Sequence, residues 1–110
     1  LFEFQPIYFD YDKALIRPEY ESYLKDLIRM VKSHSDLRIQ ITGHTDADGS
    51  DEYNLELSAR RAKALLNFFE QHGLPKDRVE IQFKGEAEPI DNNDNEMGKQ
   101  KNRRVDFRFI

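Results

Sequence analysis

No cysteine occurs in the 110 residues. That excludes a disulfide framework, a thiolate nucleophile and a cysteine-type zinc site, and it leaves the redox compartment open. Long apolar runs are also missing. Nothing approaches the roughly 20 consecutive apolar residues that a membrane-spanning helix needs, and the mean hydropathy is −0.82. A basic excess is lacking too: the net charge is −4, the opposite of the balance expected of a nucleic-acid partner. Internal repeats and linkers are absent, so residues 1–110 read as one domain. The chain opens at Leu1 without an initiator methionine or signal peptide, directly in strand-like sequence, and reads as a domain excised from a longer protein.

What is present is periodicity. Leu1 to Tyr11 is rich in aromatic and β-branched residues, with Ile7, Phe9 and Tyr11 alternating with polar neighbours as in a half-buried strand. Pro18 can open a helix, where its missing N–H costs nothing. Tyr20, Tyr23, Leu24, Leu27, Ile28 and Val31 then keep the rhythm of an amphipathic helix that ends at His34-Ser35-Asp36. Leu37, Ile39 and Ile41 alternate as a second strand. A second helix places Leu55, Ala62, Leu65, Leu66 and Phe69 on one side and stops at Gly73. Val79, Ile81 and Phe83 form a third strand, Gly85 to Lys101 a polar loop, and Val105, Phe107 and Phe109 a closing strand. The expected fold is therefore α+β: a two-layer β-α-β-α-β-β sandwich with two helices on one face of a mixed four-stranded sheet.

The chemistry concentrates between Thr42 and Leu66. A strand ends at Gly43-His44-Thr45-Asp46, a polar turn follows, and the next helix carries Arg61, 15 positions beyond Asp46. A carboxylate beside a guanidinium suits a ligand with both an ammonium and a carboxylate, such as the end of an amino acid. Each residue also has a local reading. Asp46, Asp48 and Ser50 can accept turn or cap hydrogen bonds, and Arg61 can pair at the surface with Glu56 or Asp51. His44, Asp46 and Asp48 alternate, but the period lapses in the turn and no supporting histidine follows, so a metal site is not expected. Calcium-loop spacing fails as well, since the glycine falls at the fourth position rather than the sixth. Lys99, Lys101, Arg103, Arg104 and Arg108 form a basic cluster without a base-stacking platform, read as solvating a sheet edge, capping the strand or pairing with acids. His34, His44 and His72 sit at separate element ends and Ser58 has no evident histidine, so no catalytic set assembles.

Thr45-Asp46, ten residues, Leu57-Ser58, two residues, Arg61-Ala62, with Leu65 and Phe69 on the same helix face, resembles the OmpA-like (OmpA/Pal/MotB) peptidoglycan-binding domain. Tyr8 to Lys13 resembles the family's opening strand and loop, and Lys101-Asn102-Arg103-Arg104-Val105 its closing strand. The resemblance implies non-covalent binding of peptidoglycan, without catalysis or cofactor, through the free ammonium/carboxylate end of meso-diaminopimelate in the stem peptide. It places the ligand-binding acid at Asp46 and the ligand-binding arginine at Arg61. Tyr11 and Asp12 would come from the first loop, with Thr45 and Asn54 beside the pocket. It further implies a periplasmic domain of a Gram-negative outer-membrane or envelope protein, anchored by a segment outside this chain and able to form homo-oligomers. The competing expectation is a protein-interaction or oligomerisation domain of an envelope protein or motor stator.

Overall fold

The computed structural model describes residues 2–110, so the expectation for Leu1 falls outside it. Four strands, β1 (Ile7–Tyr8), β2 (Ile39–Gly43), β3 (Val79–Phe83) and β4 (Arg104–Phe109), alternate with helices α1 (Glu21–Ser33), α2 (Asp51–Gln71) and α3 (Glu96–Asn102). The sheet order is β1-β4-β2-β3. β4 runs antiparallel to both neighbours and β2 runs parallel to β3, which is the mixed sheet expected.

The two long helices share one face of that sheet, and Phe107 shows why. Its ring meets Tyr23 of α1 at 6.1 Å and Phe69 of α2 at 6.2 Å between centroids. Around it, Leu24, Leu27 and Val31 of α1, Leu65 of α2, and Ile39, Ile41 and Val105 of the sheet are fully buried. Alternation along β4 turns Val105 and Phe107 inward, so burial of apolar area fixes the register.

Three differences from the sequence reading have physical causes. The first strand shrinks to Ile7–Tyr8, and Phe2 and Phe4 instead cluster with Phe109 at 6.1 and 4.8 Å. Leu55, expected on the buried side of the second helix, is 46% exposed, because the inward face carries Asn54, Leu57, Ser58, Arg61 and Ala62. The loop expected up to Lys101 contains α3. That helix is capped by the Asn95 side chain, which accepts from Gly98 N at 2.8 Å. Its far end is held by buried Asn102, which accepts from Ile90 N and Asp91 N at 2.8 and 3.1 Å.

At Gly43, β2 presses against α2 so closely that a Cβ would lie 2.0 Å from the Ser58 carbonyl oxygen. Only glycine allows this approach. We predict that Gly43→Ala costs about 1–3 kcal/mol or more by overpacking, read as a shifted denaturant midpoint. An unchanged midpoint would mean that the strand and helix separate without cost.

Candidate functional site

The turn after β2 is pinned before it presents any side chain. His44 N donates to Arg104 O at 2.9 Å, and Thr45 N donates to Gly85 O at 2.9 Å. The Ser58 hydroxyl donates to Leu55 O at 2.8 Å and accepts from Gly85 N at 2.9 Å. Ser58 therefore links the helix to the same loop. Ser50 caps α2 by accepting from Tyr53 N at 3.1 Å.

Arg61 projects from α2 into this frame and is 0% exposed. Its Nε donates to Lys13 O at 2.8 Å, Nη1 to His44 O at 2.9 Å, and Nη2 to Asp10 O at 3.2 Å. The guanidinium carbon lies 5.2 Å from the Phe9 ring centroid, within cation–π range. One planar fork thus joins the loop after β1 to the end of β2. Burial lowers its pKa to about 10, with the Asp46 charge opposing that shift and Arg103 adding to it. It stays a cation at neutral pH. The surface pairing with Glu56 belongs instead to Arg60, whose Nη1 lies 3.4 Å from Glu56 Oε1.

Asp46 is 4% exposed, not at an open loop edge. Its Oδ1 accepts from Asp48 N at 3.0 Å, the expected Asx-turn bond. Its Oδ2 accepts from Arg103 Nη1 at 2.9 Å. Arg103 is only 3% exposed, also pairs with Glu96, and lies 5.6 Å from the Tyr11 ring centroid. Arg104, equally buried, donates to Glu88 O at 3.0 Å and pairs with Asp106 at 3.2 Å. Of the alternatives read for the basic cluster, these two arginines follow pairing with acids and not solvation of a sheet edge. Lys99 does pair with an acid, Asp48, at 3.1 Å, and Lys101 lies 3.9 Å from Asp91.

Asp46, Arg61, Tyr11, Asp12 and Asn54 line one cavity of about 150 Å³, closed further by Asp48 and Tyr53. Asp12 takes a left-handed backbone, φ 56°, and its side chain accepts from the Tyr53 hydroxyl. Asn54 is buried and donates to Glu86 Oε1 at 2.8 Å. Thr45 does not reach the cavity wall: it is buried, and its hydroxyl donates to Asp46 O at 2.8 Å. His44 turns away from the cavity, with Nε2 3.2 Å from Asp106 Oδ2. Burial works against the Asp106 charge, but the hydrogen bond to His44 and the Arg104 cation hold its carboxyl below the usual range.

Sequence reasoning missed Arg103 as the partner of Asp46. The available signal was charge balance, because an acid on a turn pinned between two strands and a helix needs a buried cation.

The OmpA family profile matches residues 8–103. A peptidoglycan-associated lipoprotein from Buchnera aphidicola is 31% identical over 89% of this chain and 57% of its own length. Outer membrane protein A from Bordetella avium is 30% identical over 94% of this chain and 53% of its length. The chain thus spans little more than half of either relative, and as little as 12% of another curated relative. The crystal structure of the peptidoglycan-associated lipoprotein from Burkholderia pseudomallei superposes with a TM-score of 0.93 at 30% identity. That superposition covers 96% of this chain and 89% of the other. On the profile match, the shared sequence and the shared fold together, the chain belongs to the OmpA family.

Proposed function

We propose that this domain binds peptidoglycan non-covalently, through the ammonium and carboxylate at the free end of meso-diaminopimelate in the stem peptide. The observation that carries this reading is a fixed anion and a fixed cation, Asp46 and Arg61, in the wall of one small cavity. A volume of about 150 Å³ suits the zwitterionic end of one amino acid rather than a whole peptide. Carboxylates take ammonium donors, and guanidinium charge attracts carboxylates. Two relatives are named as peptidoglycan-associated lipoproteins, and another as an outer membrane protein. On this reading the chain is the wall-binding part of a longer envelope protein, facing the periplasm.

Binding without catalysis is the corresponding proposal. Among the described residues, His44 is committed to Asp106, His34 and His72 are exposed helix-end residues, and the Ser58 hydroxyl is committed to two backbone groups. The Ser33 hydroxyl does lie 3.0 Å from His34 Nδ1, but both are exposed at the end of α1, neither lines the Asp46–Arg61 cavity, and the hydroxyl already donates to Met30 O. We predict that purified sacculi retain the protein in the pellet and that no soluble muropeptides appear. Steady muropeptide release by homogeneous protein would contradict this, and failure to sediment with sacculi would remove the ligand assignment.

A further inference from the structure

The wall of the small cavity holds more acid than base. Asp12, Asp46 and Asp48 supply carboxylates, and Arg61 supplies the single guanidinium. Counter-charge comes from behind the wall, from α3 and the residue after it. Arg103 meets Asp46 at 2.9 Å, and Lys99 reaches Asp48 at 3.1 Å. Resting on the function proposed above, we propose that Lys99 is a specificity-determining residue of this site. By neutralising Asp48, it sets the cavity to prefer the zwitterionic diaminopimelate end over the same end amidated, which keeps only the ammonium charge.

The fold seats α3 against the acidic turn. Ala47 N donates to Asn93 Oδ1 at 3.2 Å, and the same oxygen accepts from Asn102 Nδ2 at 3.0 Å. The turn and both ends of the segment carrying Lys99 are thus tied together. The Lys99 side chain is 25% exposed against 58% for Lys101, so it lies along the turn instead of extending into water. Its hydrogen bond to Asp48, and then the Asp48 charge, hold the ammonium above its ordinary pKa, with Asp46 and Glu96 adding to the effect. Lys99 is therefore a cation at neutral pH.

No other described cation is free to take its place. Arg103 is shared by Asp46 and Glu96, and Arg61 is held by three backbone carbonyls. Asp12 has only a neutral partner, the Tyr53 hydroxyl. With Lys99 in place, the wall sets one carboxylate lacking a cation, Asp12, against one guanidinium lacking a carboxylate, Arg61. That balance matches a ligand of zero net charge. Without Lys99, Asp48 would become a further anion. It would attract the ligand ammonium and repel the ligand carboxylate, two effects that nearly cancel for a zwitterion. For an amidated end only the attraction remains.

The test is calorimetric titration with two probes: a stem peptide whose diaminopimelate ends in the free carboxylate, and the same peptide amidated there. The wild type should prefer the free acid. Lys99→Met should bind the amidated peptide more tightly and the free acid about as before. The preference should fall about three- to tenfold, the effect of one partly solvated unit charge near the ligand. Added salt should shrink that change by screening. Lys99→Arg keeps the charge and should keep the preference. Lys99→Met combined with Asp48→Asn removes cation and anion together and should return the preference toward wild type, which damage to α3 would not allow. A preference unaltered by Lys99→Met would overturn the role of Lys99 and leave the peptide site standing. A fall that Asp48→Asn does not reverse would also overturn it, as would equal wild-type affinity for the two probes. If the wild type binds neither, the proposed function falls, and this inference with it.

Discussion

Arg61→Leu should unfold the domain or cost it more than about 3 kcal/mol, well beyond what loss of a ligand contact would cause. The substitution strands the carbonyls of Asp10, Lys13 and His44, all of which now accept from one guanidinium. A buried polar group left without its partner costs about 1–3 kcal/mol, and a whole domain has only about 5–15 kcal/mol of stability. Arg61→Lys should recover little. A lysine ammonium is a compact point charge and cannot span three separated carbonyls as a planar fork does. It would also lose the stacking contact with Phe9 at 5.2 Å. Denaturant unfolding with constant slope measures this directly. A leucine variant that melts with the wild type yet fails to bind sacculi would refute the clamp and reserve Arg61 for the ligand.

The clamp marks where the sequence was legible and where it was not. Alternation placed Ile39, Ile41, Val105 and Phe107 in the core, and helical spacing placed Leu24, Leu27, Ile28 and Val31 there. Apolar pattern alone decides those positions. α3 carries no apolar stripe: its buried residues are Gly98 and Asn102. Gly98 is imposed by packing rather than pattern, since a Cβ there would lie 2.0 Å from Asn92 O. Such a helix is invisible to periodicity. Leu55 was misplaced for the converse reason. The inward face of α2 carries Asn54, Ser58 and Arg61, so an apolar count turned the helix toward the wrong side. Of the candidate site, Asp46, Arg61, Tyr11, Asp12 and Asn54 do meet in one cavity. Their grouping followed from family resemblance and motif spacing. Arg103 stayed hidden inside a basic run, because charge balance with Asp46 calls for a buried cation without saying which of Lys99, Lys101, Arg103, Arg104 and Arg108 supplies it.

That buried arginine makes the sharpest test of Asp46 possible. Asp46→Asn keeps an acceptor for Asp48 N but removes the anion facing Arg103. Two losses should follow together. Stability should fall by up to about 3–5 kcal/mol, because Arg103 is left with only the more exposed Glu96 as counter-charge. Sacculus binding should fall as well, by about 2–5 kcal/mol, since the ligand ammonium also loses its partner. Adding Arg103→Met to Asp46→Asn separates the two effects. Replacing both members of a buried pair with neutral groups of similar volume is often neutral or stabilising, so the double variant should regain most of the lost stability. Binding should not return, because the charge that meets the ammonium is still missing. Recovery of stability without recovery of binding assigns Asp46 two separable jobs, one toward Arg103 and one toward the ligand. If sacculus binding returns with stability, Asp46 acts on the fold alone. The ammonium must then be met by another carboxylate in the same wall, with Asp12 and Asp48 in place to do so.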